Sequence, residues 1–541
     1  MWWIMEVNEP AADYYKFCPG EEHIKLSNAI CRGRRRIHFP KCHACQFNED
    51  AAPSATPSPK AAGTPQPSSI EGVFRPHDIC AAVPARLNAD LAWRIGYAAA
   101  QFLHGRLRGY DRADRHAKSI IVGRDARPLS ADLREALIEG IRATGVEVID
   151  IGLIDTPQLY FAVNHVGTCG GIQVTGGAMP AGCGGFNICG AKAVPITSET
   201  GLTSIRDIAV RVPKHRTGTT SPLSSEDLSR PYRDFVRGFL RGRDRLAQPL
   251  KLVADASNGV AGRWLPILFD GVDNLSIVPL NYEPAGVFHH DPDPLDPANL
   301  RDLRRLVKTE KADFGVCFDG DASSCALVDE RGNSRRSDHL AAVLARTFIG
   351  RLPGAAVVLD LRATRAAFEE VERAGGVPVA SRVDVVSMKK TMSERGAVLG
   401  ADLDGHFYFR EGFFGESAIL ALVHVLNTLA DSQRKLGDLV RPLHRYRSPG
   451  EIRFPAADPE RTLQQLAAAN PDAEIHRFDG ITVRHPDWWF IARPRMVHGG
   501  WQDPSCAADP GPAVLVTLEA RTKELLAEKL SHLQSLLTDQ Q

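Results

Sequence analysis

The chain has 541 residues, too many for one hydrophobic core, so several domains are expected. Its 43% hydrophobic and 24% charged residues are ordinary for a globular protein, and 65 Lys+Arg balance 65 Asp+Glu, so bulk charge supports neither a nucleic-acid partner nor a membrane-surface role. No run of about 18 apolar residues exists to span a bilayer.

The start, MWWIMEVNEPAADYYKF, lacks the basic region and apolar core of a secretory signal, and Met5 serves as well as Met1 for a start. Of eleven cysteines, four fall in the first 45 residues and the rest are scattered singly. That distribution argues for a reducing cytoplasm with one metal site rather than a disulfide framework. The spacing Cys18-x12-Cys31-x10-Cys42-x2-Cys45 suits an all-cysteine structural zinc site, with the C-x2-C as a tight knuckle. His23, His38 and His43 keep the ligand set open, and free thiols in a loose tail are the alternative reading. Residues 1–46 are too few to build their own core, so a metal staple is the physical route to a fold there. Arg32, Arg34, Arg35, Arg36 and Lys41 stand beside these cysteines. They read either as a basic contact for an anionic or protein partner or as a solvated turn.

Residues 47–70 are rich in Pro, Ala and Ser without apolar periodicity, the composition of a linker. Beyond them one grammar repeats. SIIVGRD is a short apolar strand. SADLREALIEGIRATG is an amphipathic helix, with Ser130 expected as N-cap, Leu133, Leu137, Ile138 and Ile141 on one face, and Gly145 as C-cap. VEVIDIG is the next strand. LKLVADAS, ANLRDLRRLVKTEKA and DFGVCFDGD repeat the pattern, as do AAVVLDL, TRAAFEEVERAG, VPVASR, VSMKKTMSERG and AVLGADLDG. Such units predict parallel or mixed sheets covered by helices, with ligands at the loops after strand C-termini. From GEIRFPA onward, adjacent strands and two helices predict an α+β unit.

Several loops fall in a familiar order. VFRPHDIC is similar to F-R-x-Y-D-I-R-G and VGRDARPLS to V-G-R-D-x-R-x-S. VTGGAMPAGCGGFNICG resembles a phosphoserine loop, T-G-S-H-N-P, and FDGDASS a metal loop, D-G-D-x-D-R. GADLDGHFYFREGFFG resembles a sugar loop, G-E-x-S-G-H, and FDGITVRHPDWWFIARP the approach to a phosphate loop. From about Glu71 onward the chain thus resembles the α-D-phosphohexomutases, the phosphomannomutase/phosphoglucomutase family. The resemblance implies three related α/β domains with mixed sheets and a C-terminal α+β domain around a central cleft. The expected divisions are 71–225 with the phosphoserine loop, 226–330 with the metal loop, 331–445 with the sugar loop, and 446–541 with the phosphate loop. It also implies phosphate transfer between C1 and C6 of a hexose through a phosphoserine and a bisphosphosugar, assisted by Mg²⁺.

This sequence departs from that pattern at each working part. The serine position is Gly177, followed by Ala178 and Met179 where His and Asn are expected, so no catalytic residue can be assigned there. Thr175 lies two residues earlier, over about 6 Å away in an extended chain, and is expected to miss in-line geometry. Asp319 and Asp321 match two metal ligands, but Ser323 replaces the third and Ser324 the adjacent Arg, leaving a weak, vestigial magnesium site. Cys80 replaces the second Arg of the opening loop. Among the residues expected to meet substrate, Asp402 stands for Glu and Asp404 for Ser, with His406 kept. Asp404 adds charge expected to disfavour a phosphate. Arg382 sits in a phosphate-facing loop interrupted by Asp384. Arg493 remains from the last phosphate loop, which carries about ten extra residues.

The leading expectation is a protein with the mutase fold but no mutase catalysis, binding a hexose phosphate and acting as a receptor, scaffold or regulator, with the zinc module as a protein contact. An active hexose-phosphate mutase is the alternative, and a repurposed enzyme using Asp402, Asp404 and His406 as acid and base is a third.

Overall fold

The computed structural model describes residues 15–17, 25–27, 70–106, 116–212, 221–284, 287–495 and 511–538. The four expected zinc cysteines, the basic run beside them, the linker up to residue 69 and the segment 496–510 lie outside the described residues. Within the first 46 residues, Tyr15–Phe17 pairs antiparallel with Lys25–Ser27.

The next three sheets share one plan. In the first, the strands run in the order Ile79–Ala82, Cys183–Gly190, Gly170–Thr175, Ile120–Arg124, Val148–Leu153 and Leu223–Ser225. The strand Ile120–Arg124 has a parallel neighbour on each side, and Cys183–Gly190 then reverses direction. The second sheet centres Arg245–Asp255 between parallel Asp273–Leu280 and Phe314–Phe318, followed by antiparallel Cys325–Asp329. The third centres Ala356–Asp360 between parallel Val377–Ser381 and Leu399–Ala401, followed by antiparallel Phe407–Phe409. Strands such as Phe314–Phe318 are buried at every position, because helices cover both sheet faces. These are the mixed α/β layers that the repeated strand–helix grammar predicts.

The fourth sheet is antiparallel throughout, in the order Glu451–Pro455, Ala513–Ala520, Trp488–Arg495, Ile481–Arg484 and Glu474–His476. Trp488, Phe490, Val516 and Leu518 form its own core with the flanking helices Pro459–Ala468 and Lys523–Thr538. The first three domains are instead joined by one continuous apolar core running from Leu159 and Tyr160 through Phe318 to Phe409. The helix Ala418–Ser432 lies in it, buried from Ala418 to Ala430.

Three local expectations are corrected. The helix expected to start at Ser130 spans Pro128–Arg142, with proline opening the first turn and Arg127 as N-cap. Ser130 is inside it, and its hydroxyl donates to Asp125 Oδ1 at 2.6 Å. The helix ends at Arg142 with Ala143 as C-cap, so Gly145 (φ +85°) serves the turn beyond it. Asp384 does not interrupt a binding loop but caps the helix Val385–Arg395, accepting the Ser387 N–H at 2.7 Å. Among the described residues no helix is long and apolar enough to cross a membrane.

Candidate functional site

Three loops at equivalent positions build the site. Each follows the parallel strand beside its sheet's central strand and precedes the reversing strand: residues 176–182, 319–324 and 402–406. They are the loops matched to phosphoserine, metal and sugar, and parts of all three line one cleft of about 470 Å³. Its walls include Thr175–Met179, Arg75 and His77–Cys80 of the first domain, and Asp319, Asp321, Ser323 and Ser324 of the second. The third domain adds Lys389, Asp404, His406 and Glu416.

The first loop is shaped by a residue that the sequence reading passed over. Arg127 is buried, and all five of its side-chain N–H groups are used. Nε donates to Asp125 Oδ2 at 3.0 Å. Nη1 reaches the carbonyls of Pro180 and Cys183 at 2.6 and 3.2 Å, and Nη2 those of Gly177 and Met179 at 2.8 and 2.6 Å. Asp125 in turn accepts the Gly176 N–H at 3.1 Å. Gly177 sits at φ +49°, and a Cβ built there would meet only Asp321 Oδ2, 3.9 Å away. Position 177 therefore points at the metal loop, where a nucleophile is expected, and carries no side chain to put there. The approach of the two loops is tight: a Cβ at Gly320 would come within 2.7 Å of the Gly177 carbonyl oxygen.

The expectation that Thr175 lies far from this point fails, because the chain is not extended here. The Met179 N–H closes a turn onto the Gly176 carbonyl at 2.9 Å, and the Gly177 N–H donates to Thr175 Oγ1 at 2.9 Å. Thr175 Oγ1 is 2.8 Å from Asp321 Oδ2 and 3.1 Å from Asp125 Oδ2, so it can donate to either carboxylate.

In the metal loop both expected carboxylates are present and buried. Their oxygens are already engaged. Asp319 Oδ2 receives both the hydroxyl (2.8 Å) and N–H (3.2 Å) of Ser324 and the hydroxyl of Ser323 (2.8 Å), while Oδ1 takes the Ser323 N–H (2.9 Å). Asp321 Oδ2 accepts from Thr156 Oγ1 at 2.8 Å. Burial, and next the charge of Asp321, push the Asp319 carboxyl up to about 7. A hard divalent cation needs oxygen lone pairs. Here the hydroxyl and amide hydrogens of the replacing serines occupy those of Asp319. The residues present do not fit the magnesium ion that the family resemblance implies.

The sugar-loop residues divide. Asp402 is buried below the cleft wall and orients His406, with Oδ2 3.1 Å from His406 Nδ1 and accepting from Tyr408 Oη at 2.8 Å. Burial alone would lower the His406 pKa, but the Asp402 carboxylate raises it to about 10, so a cationic imidazole faces the cleft. Asp404 does line the cleft, yet its charge is not the isolated one expected. Arg362 clamps it through Nη2 and Nη1 at 2.9 and 3.1 Å. Arg382 is exposed and Arg493 pairs with Glu451 at 2.8 Å; neither is among the cleft-lining residues.

Two further wall residues carried no sequence signal. Lys389 Nζ is 2.5 Å from Glu416 Oε2, and Tyr160 Oη donates to Glu416 Oε1 at 2.6 Å, which ties the first domain to the third. Cys80, in place of the expected arginine, is buried on the same wall.

Three related α/β domains and an antiparallel fourth, with strand-end loops converging on one cleft, are the arrangement that the phosphohexomutase resemblance implies. Residues 72–214, 231–332 and 336–446 match the phosphoglucomutase/phosphomannomutase alpha/beta/alpha domains I, II and III. The chain belongs to that family. It is similar to the phosphohexose mutases of Xanthomonas campestris pv. campestris, with 34% identity over 78% of this chain and 91% of that one. It is also similar to the phosphomannomutase/phosphoglucomutase of Pseudomonas aeruginosa, with 30% identity over 85% and 94%. A phosphoglucomutase/phosphomannomutase family protein of Burkholderia thailandensis superposes with a TM-score of 0.74 at 27% identity, covering 87% of this chain and 97% of that one.

Proposed function

We propose that the chain holds a hexose phosphate in this cleft without taking its phosphoryl group at position 177, and so serves carbohydrate metabolism as a sugar-phosphate-binding, scaffold or regulatory protein. One observation carries the reading: the loop that presents the nucleophile keeps its fold through Arg127 while Gly177 offers no side-chain hydroxyl. The hydroxyls of Ser323 and Ser324 on Asp319 support it, because they replace a third carboxylate and a guanidinium with groups that consume lone pairs. The His406 cation supplies a counter-charge for an anionic ligand on the same wall.

A second reading has its own observation. Thr175 Oγ1 lies between Asp125 and Asp321 on the cleft wall, and a hydroxyl beside a carboxylate is the arrangement of a nucleophile with its base. An active mutase would then pass its phosphoryl group through Thr175.

Calorimetry with glucose 1-phosphate and mannose 1-phosphate, run beside a coupled mutase assay with Mg²⁺ and a bisphosphate activator, separates the two. Saturable binding without turnover, and an intact mass free of a phosphoryl adduct, supports the first. Turnover that disappears in Thr175→Val replaces it with the second. Neither binding nor turnover rejects both.

A further inference from the structure

The three α/β domains end their central strands in the same turn. Asp125, Asp255 and Asp360 each accept, through Oδ1, the backbone N–H two residues on, at 3.0, 2.9 and 2.7 Å. In the first and third domains a guanidinium from that later residue neutralises Oδ2: Arg127 Nε at 3.0 Å and Arg362 Nη2 at 2.7 Å. The second domain has Ser257 there, and its hydroxyl donates away to the Phe318 carbonyl at 2.6 Å. Asp255 Oδ2 instead faces His290 Nε2 at 3.1 Å. Cys317 Sγ completes a trio whose ligand atoms all lie within 4.8 Å of one another.

The surroundings are those of a ligand set. His290 Nδ1 is 2.7 Å from the Asp291 carbonyl, which places a proton on Nδ1 and assigns Nε2 to the trio. Asp255 Oδ1 is fixed by Ser257 N–H and by Asn281 Nδ2 at 3.0 Å. Tyr282, near enough to Asp255 to feel its charge, has a buried Oη with no hydrogen-bond partner among the described residues, an orphan that a bound water would satisfy. Asp255 and Cys317 are fully buried, and the partly exposed His290 ring is the way in.

We propose that Asp255, His290 and Cys317 bind one zinc ion, with water in the fourth position, at a site separate from Asp319 and Asp321. Zinc at about 2.0–2.3 Å from each ligand needs those atoms about 3.3–3.7 Å apart, so Asp255 Oδ2 and His290 Nε2, now 3.1 Å apart, must separate slightly while Cys317 Sγ, within 4.8 Å of both, settles at that spacing. The thiol proton and the His290 Nε2 proton leave to solvent. Carboxylate and thiolate together match the charge of the dication, so the buried cluster ends neutral. Thiolate and imidazole ligands favour zinc over magnesium. The proposal is independent of what the cleft binds.

The test uses the full chain with Cys18, Cys31, Cys42 and Cys45 all replaced by serine, so that the terminal cysteines contribute nothing. Elemental analysis after zinc loading and desalting should give one equivalent, falling below about a tenth in the added Cys317→Ala and His290→Gln variants. Cobalt loading of the parent should give a thiolate-to-cobalt charge-transfer band, lost in Cys317→Ala. Zinc retained in Cys317→Ala, or a parent that shows neither zinc nor the cobalt band, overturns the proposal. Should the alanine variant fail to fold, Cys317→Ser takes its place and the parent's cobalt band still decides.

Discussion

Arg127 Nη2 and the Gly177 carbonyl oxygen are 2.8 Å apart, and that bond belongs to a set of four by which one guanidinium holds the loop by its backbone alone. The loop's shape is therefore indifferent to which side chain occupies position 177. Arg127→Ala should cost about 3–5 kcal/mol, because it strands buried Asp125 and frees four carbonyls at once. Arg127→Lys, with fewer donors and no fork, should recover only part of that. Urea denaturation of both variants measures it, and a loss below about 1 kcal/mol in the alanine variant contradicts this role.

Gly177→Ser meets no steric obstacle, since the nearest atom to its Cβ would be Asp321 Oδ2 at 3.9 Å. The φ of +49° should make it cost about 1–2 kcal/mol. The serine alone is expected to give no phosphoenzyme by intact mass, as Asp319 remains occupied by Ser323 and Ser324. A stable phosphoryl adduct on this single variant would show that the metal loop is more competent than its hydrogen bonds imply.

The His406–Asp402 pair sets a pH window. The folded-state pKa of His406 is raised from 6.5 to about 10, so its contribution to stability is full below 6.5 and is lost as pH rises through about 10. Asp402 is held below its usual 3.8: burial opposes this, but the His406 cation outweighs it. Its contribution is present above 3.8 and is lost as pH falls through the lower folded value. NMR of the imidazole should find His406 protonated at pH 8, and Asp402→Asn should bring its titration below that. A neutral His406 at pH 8 in the unmodified protein contradicts the pairing.

Lys389 and Glu416 are both buried, so removing one strands the other. Lys389→Met should destabilise by about 3–5 kcal/mol, and the double change with Glu416→Gln should recover most of it. Because Tyr160 Oη donates to Glu416, loosening should also appear as faster amide exchange in the helix Thr156–Val166. Additive losses in the double variant would mean that the pair is not a unit.

The sheets were legible because period and punctuation agree: SIIVGRD, DFGVCFDGD and AVVLDL are short buried runs ended by Gly or Asp, and each is a strand. The absence at Gly177 was legible too, since glycine denies a side-chain hydroxyl in any fold. Side-chain partnerships were not. Asp404 reads as an uncompensated charge until Arg362, 42 residues away, is seen clamping it. Asp402 reads as a cleft residue until its burial beneath His406 is seen. One overlooked signal was available: V-G-R-D-A-R, V-A-D-A-S and V-L-D-L-R are the same strand-end turn in three copies, and aligning them would have singled out Arg127, Arg362 and the exception at Ser257.

Thr175 and Thr156 both donate to Asp321, and Gly320 lies against the Gly177 carbonyl, so the first two loops are fastened to each other by contacts that owe nothing to a phosphate or a metal. The two loops therefore differ in what a substitution must overcome. A side chain at 177 enters a socket whose walls Arg127 has already set, whereas a further ligand to Asp319 has to displace the hydroxyls of Ser323 and Ser324 before it can bind.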